Sequence, residues 1–123
     1  EWKQAYLEAS NHASLLYLST NGAVRDWDRE EAIDFIQKNI RIPSVTCDDF
    51  MMDYCVFGLT KMAKEQGEWA AKTAIQILHG RAPASIPYTR NRQTHAYLNR
   101  DLANRVGFDI KEPPDGQFTV INP

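Results

Sequence analysis

Two short clusters hold the side chains best suited to chemistry: Ser19, Thr20, Asn21 and Gly22, and then Thr46, Cys47, Asp48, Asp49 and Phe50. Thr20 and Asn21 offer a hydroxyl and a carboxamide, which either recognise a polar ligand or simply shape a turn. Asp48 and Asp49 are adjacent carboxylates. They suit acid–base work or the docking of a cation, and an aspartate there equally suits the capping of a helical turn over "DFMMDY". The two roles coexist if they fall on different aspartates. Trp27, Phe50 and Tyr54 lie close by in the chain and either wall an apolar ligand or belong to the core. His12, His79 and His95 are scattered, without companions at metal-ligand spacing, so surface or capping roles are expected of them.

Several classes of chemistry are absent from the sequence. It has no G-x-G-x-x-G, no Walker-type phosphate loop and no G-x-S-x-G elbow. Dinucleotide, nucleotide and hydrolase functions are therefore not expected, nor is a cofactor. Cys47 and Cys55 are too few for a disulfide framework; they read as two buried, unpaired thiols, with a single bridge as the alternative in an exported protein. The net charge of -2 implies no polyanion, so nucleic acid is not an expected partner. No apolar run approaches the roughly 20 residues of a membrane span. A chain of 123 residues, 43% hydrophobic and 24% charged, suits a single core.

The elements that position these clusters follow from periodicity and punctuation. The chain opens on "EWKQAYLEAS", which lacks an initiator methionine and reads as the tail of a helix with Trp2, Ala5, Tyr6 and Ala9 on one face. It is expected to be part of a longer product, so the missing signal peptide says nothing about compartment. Leu15 to Leu18 form an apolar run that suits a strand buried on both faces. Asp28, with Glu31 three residues on, caps a helix whose buried stripe is Ala32, Ile33, Ile36 and Ile40. "IPSVTC" is a second strand, "DDFMMDYC" one or two helical turns, and "CVFGLTK" a third strand in which Gly58 marks a bend or a close approach.

A long helix follows, with Met62, Trp69, Ala70, Thr73, Ala74, Ile77 and Leu78 on one side. Gly67 and the alanines would let that side lie close against a sheet. Gly80 supplies a left-handed stop, and Pro83 forbids resumption. "SIPYTR" and "HAYLN" read as two further strands, "RDLANRVGF" as a short helix stopped at Gly107, and "QFTVI" as an edge strand in an otherwise irregular tail. Alternating strands and helices imply an α/β fold, a Rossmann-like parallel sheet with helices on both faces joined by right-handed crossovers. Ligands of such sheets bind beyond the carboxyl ends of the strands, which is where both polar clusters fall.

From "GEWAAKTAIQILHGRAPASIPYTRNRQTHAYLNRDLANRVGF" the chain resembles the ABC-transporter substrate-binding proteins of the type I periplasmic-binding fold, in the branch of uncharacterised transport components. The pattern is carried by Gly67, Ala70, Ala71, Ile77, Leu78, Gly80, Pro83, Ile86, Pro87, Leu98, Asn99, Ala103 and Gly107. "LLYLSTNGAV" and "IRIPSVTCDDF" extend it upstream, so it covers roughly residues 12 to 108. The resemblance implies one lobe of a two-lobed protein. It divides the chain into a second ligand-binding lobe (1–80), a crossing and returning segment (81–110) and an irregular tail (111–123), the first lobe being absent. It implies a binding module and not an enzyme, with a small polar ligand, such as an amino acid, held between lobes.

The ligand-facing residues would be Thr20, Asn21 and Gly22, with Asp48, Asp49 and Phe50 opposite. The partners would be that ligand, the permease of an ABC importer and the missing lobe, in a periplasmic or extracytoplasmic location. The alternative is a ligand-sensing extracytoplasmic domain of a signalling protein. Asn21 stands where the family often has Asp, and Gly22 where it often has Asn. This removes a carboxylate and an amide from the first loop. Without the other lobe, Leu102, Val106 and Phe108 are expected to sit exposed, and the chain to self-associate.

Overall fold

In a computed structural model that describes residues 1–108 and 118–122, helices and strands alternate along the chain. They are α1 (Trp2–His12), β1 (Leu16–Tyr17), α2 (Arg29–Asn39), β2 (Ser44–Thr46), a 3₁₀ turn (Asp49–Tyr54), β3 (Phe57–Lys61), α3 (Ala63–Leu78), a short 3₁₀ turn (Pro83–Ser85), β4 (Thr94–Asn99), α4 (Arg100–Arg105) and β5 (Thr119–Ile121). The strands form one sheet in the order β1-β2-β3-β4-β5. β1 runs parallel to β2 with Leu16 opposite Ser44, and β2 runs parallel to β3 with Val45 opposite Phe57. β4 and β5 are parallel as well, with Leu98 opposite Val120. The α/β, largely parallel architecture expected from the sequence is the one observed.

Local chemistry explains where the helices begin and end. The Asp28 carboxylate accepts from the Glu31 backbone N–H at 2.8 Å and caps α2, while the Glu31 carboxylate pairs with Lys3. Both glycine stops work as expected. At Gly80 (φ +95°) the Arg81 N–H donates to Gln76 O and the Gly80 N–H to Ile77 O; at Gly107 (φ +82°) the Phe108 N–H donates to Ala103 O and the Gly107 N–H to Asn104 O. Each pair of bonds closes a Schellman motif, satisfying carbonyls that the helix end would leave orphaned.

The chain divides into two compact units, residues 1–60 with 95–123, and residues 61–94. The first contains the core. Ala32, Ile36 and Ile40 of α2 meet Leu16 of β1, Val56, and Leu98, Leu102 and Ala103 from β4 and α4. Ile33 and Phe35 pack against this cluster from its margin. Gly58 is a close approach, as expected: a Cβ built there would collide with the Met52 thioether. Cys47 and Cys55 are both free, and Cys55 is fully buried. The second unit contains α3 and the segment that follows it, where the Glu65 carboxylate accepts from the backbone N–H groups of Arg92 and Gln93 at 2.9 and 3.0 Å.

Four expectations are corrected. β1 is not buried on both faces: Leu16 is buried, but Leu15 and Tyr17 are 52% and 58% exposed. As the end strand of the described sheet it alternates one face to the core and the other to solvent. "SIPYTR" is not a strand. Pro87 has no N–H to give a ladder, and bonds from Ser85 N–H to Ala82 O and from Ile86 N–H to Pro83 O curl the chain locally instead. No residue of α3 is buried, and a Cβ at Gly67 would meet nothing within 4 Å, so close packing does not account for that glycine. Leu102 is 1% exposed, not bare, because the cap on α4 turns it and Ala103 into the core; Val106 is half-buried, and Phe108 stays 41% exposed. Of the expected tail, β5 lies within the described residues, and 109–117 fall outside them.

Candidate functional site

Because β1 and β2 are parallel neighbours, the loops that follow them leave the sheet at the same end. The two loops start alike. After β1 the Gly22 N–H donates to Thr20 Oγ1 at 3.2 Å, and after β2 the Asp48 N–H donates to Thr46 Oγ1 at 3.2 Å. In each case a threonine hydroxyl folds the backbone back two residues on. Asn21 O then accepts from Val24 N–H at 2.9 Å, closing a turn. On the second loop Asp48 O accepts from Met51 N–H, and the Asp49 carboxylate accepts from Phe50 N–H at 2.8 Å, tightening the start of the 3₁₀ turn. Arg29, at the start of α2, pairs with Asp53 of that turn at 2.7 Å.

A groove of about 360 Å³ opens beside β1. Its walls are Trp2, Ala5, Tyr6 and Ala9 of α1, the residues from Leu16 to Asn21, then Val24, Trp27 and Ile36, and Met51 and Tyr54 of the 3₁₀ turn. No Asp, Glu, Lys, Arg or His is among the described residues that line it. The aromatic rings brace one another: Trp2 and Trp27 are 4.9 Å apart between centroids, and Trp27 meets Tyr54 edge-on at 5.2 Å. The Trp27 indole N–H also donates to the Tyr54 hydroxyl at 3.1 Å, which holds both rings in place.

Tyr6 stands apart from these rings. It is 6% exposed, and its buried hydroxyl has no hydrogen-bond partner among the described residues. Burial pushes the phenol pKa up to about 12, with the nearby Cys55 thiol adding to the effect. Burial likewise pushes the Cys55 thiol up to about 12, against a hydrogen bond with Ser44 that favours the thiolate.

Of the residues singled out in the sequence, Thr20 and Asn21 line this groove; Gly22, Asp48, Asp49 and Phe50 do not. Trp27 and Tyr54 wall it, whereas Phe50 is 57% exposed and outside it. Trp2, Tyr6, Ala5 and Ala9 were legible only as one face of a helix. Their alternation of large aromatic and small side chains was the available signal for a groove. A larger cavity, about 730 Å³, lies within residues 61–94 between Trp69 and Thr73 of α3 and the segment from Pro83 to Arg92. It contains none of the residues expected to face a ligand.

No family model and no curated protein matches this sequence. Among solved structures, the chain is similar to the ligand-free, open structure of CD0873, a substrate binding protein with adhesive properties from Clostridium difficile, with a TM-score of 0.60 and 16% identity. The alignment covers 98% of this chain and 40% of that one, so the chain spans less than half the length of the protein it resembles. At that identity the likeness is one of fold. An α/β unit with a five-stranded, mostly parallel sheet is consistent with a lobe of a substrate-binding protein.

Proposed function

We propose that this chain is part of a solute receptor, a binding module and not an enzyme, that feeds an ABC importer outside the cytoplasm. The observation that carries the reading is the pair of polar loops leaving one end of adjacent parallel strands, in a fold similar to that of a substrate binding protein. Thr20, Asn21 and the Gly22 backbone supply hydrogen-bonding groups to a small polar ligand. Asp48 or Asp49 meets a cationic group on it, and exposed Phe50 packs on its apolar part. A second lobe outside these 123 residues completes the cleft, and ligand contacts to both lobes favour its closure.

Calorimetry with a panel of amino acids and small amines tests this reading. The Asp48→Ala or Asp49→Ala variant that loses the cation contact should bind about 1–3 kcal/mol more weakly. If both variants bind as the parent does while remaining folded, neither carboxylate docks a cation. If Thr20→Ala and Asn21→Ala are also silent, the rim of β1 and β2 is not the site.

A further inference from the structure

We infer that Asn21 is a site of spontaneous covalent modification: its carboxamide is converted to a carboxylate through a cyclic imide formed with the Gly22 nitrogen. The inference goes beyond the receptor reading and does not depend on it.

The loop after β1 presents this pair without protection. Asn21 is half-buried and Gly22 exposed. The Asn21 carbonyl accepts from Val24 N–H at 2.9 Å, but its carboxamide has no hydrogen-bond partner among the described residues and is free to turn toward the backbone that follows. The Gly22 N–H belongs to no helix or strand ladder. Its bond goes to the exposed Thr20 hydroxyl at 3.2 Å, so no secondary structure has to open before the nitrogen can attack.

Backbone conformation does not account for the glycine. Left-handed glycines are found at Gly80 and Gly107, not at Gly22, and a Cβ built at Gly22 meets only Thr20 Oγ1, at 3.5 Å, an ordinary contact. The turn would accept alanine. What glycine does supply is an amide nitrogen with no side chain beside it, the least crowded nucleophile that can follow an asparagine. Every other asparagine precedes a bulkier residue: Asn11 a histidine, Asn39 an isoleucine, Asn91, Asn99 and Asn104 arginines, and Asn122 a proline. Asn99 also holds its carboxamide in two hydrogen bonds.

The chemistry balances with water alone. The Gly22 nitrogen gives up its proton and bonds to the Asn21 Cγ. The Cγ–Nδ2 bond breaks, and ammonia leaves carrying a proton in exchange. Water then opens either carbonyl of the imide, giving aspartate or iso-aspartate; the second form adds a methylene to the main chain. Both carry a negative charge where asparagine had none. Asn21 lines the groove beside β1, and no Asp, Glu, Lys, Arg or His is among the described residues that line it, so conversion gives that groove a charged group.

The test ages the 123-residue chain in mildly alkaline buffer. Tandem mass spectrometry of its peptides locates the loss of ammonia and the final exchange of NH for O. Asn21 should convert faster than any other asparagine, and isoelectric focusing should show a more acidic band growing at the same rate. Asn21→Asp should show that band from the start. Gly22→Ala should slow conversion about tenfold or more, a barrier raised by about 1.4 kcal/mol, with circular dichroism unchanged. Because the fold leaves the pair open, the folded chain should convert within about tenfold of the rate in guanidinium chloride. The inference is overturned if folding protects Asn21 by more than that, if Gly22→Ala converts like the parent, or if Asn21 stays intact while another asparagine converts.

Discussion

Replacing Asn99 by alanine removes two hydrogen bonds from a residue with no exposed surface. The Asn99 Nδ2 donates to Met52 O at 3.3 Å, and its Oδ1 accepts from Leu102 N–H at 3.1 Å, capping α4. Loss of a cap costs about 1 kcal/mol. Met52 is 3% exposed, and its carbonyl still accepts from the Cys55 N–H at 3.3 Å, so losing the amide costs only an ordinary hydrogen bond, about 0.5–1.5 kcal/mol. Asn99→Ala should therefore lower the unfolding free energy by about 1.5–2.5 kcal/mol. Asn99→Ser keeps a capping oxygen and loses only the donor, so it should recover about 1 kcal/mol of that. Urea unfolding followed by circular dichroism measures both, with the slope of free energy against urea unchanged if only the folded state is affected. Met52 sits in the turn that carries Tyr54, so Trp27 fluorescence should report a loosened groove wall in the same samples. An Asn99→Ala loss below about 1 kcal/mol, or a serine variant no better than alanine, would refute the two-bond account.

The buried Cys55 thiol makes stability depend on alkaline pH. Its folded pKa of about 12 lies above its ordinary 9.0, so the unfolded chain releases the proton first, and stability present below pH 9 is lost as pH rises. The loss should be about 1.4 kcal/mol by pH 10, where Tyr6 begins to add its own; Cys55→Ala should flatten the pH 8 to 10 segment of urea-derived stability, and an unchanged slope would sink the assignment. Gly58→Ala should destabilise by about 1–3 kcal/mol through its collision with Met52, and by clearly less in a Met52→Ala background, as a double-mutant cycle would show. Asp28→Ala should cost about 1 kcal/mol by uncapping α2, measured by thermal unfolding, with Asp28→Ser nearly neutral.

Much of this fold is local and so could be read along the chain. Helix starts and stops are decided by one or two residues: Asp28 offers an oxygen to Glu31, and Gly80 and Gly107 accept left-handed backbone that other residues resist. The 3.6-residue stripe of Ala32, Ile36 and Ile40 needs no knowledge of what covers it to be recognised as the buried side. Alternation of strands with helices then implied the parallel pairing of β1, β2 and β3, since parallel neighbours need crossovers. That in turn puts the Thr20 and Asp48 loops on one end of the sheet.

Other features depend on partners far away in sequence. Leu15 to Leu18 are apolar throughout, and only the place of β1 at the end of the described sheet leaves Leu15 and Tyr17 exposed. The apolar side of α3 has a clear period, yet period says which residues would be buried, not that anything is there to bury them. "SIPYTR" has the composition of a strand, but Pro87 has no N–H to give a ladder, and the N–H groups of Ser85 and Ile86 bond back to Ala82 and Pro83 instead. The groove is the plainest case. Trp2, Thr20, Trp27 and Tyr54 are spread over 53 positions of the sequence, and no short-range pattern links them. Residue types along the chain determined the elements and the polar loops. The walls around the groove exist only because α1, the loops after β1 and β2, and the 3₁₀ turn are brought to one side of the sheet by burial of the core between them.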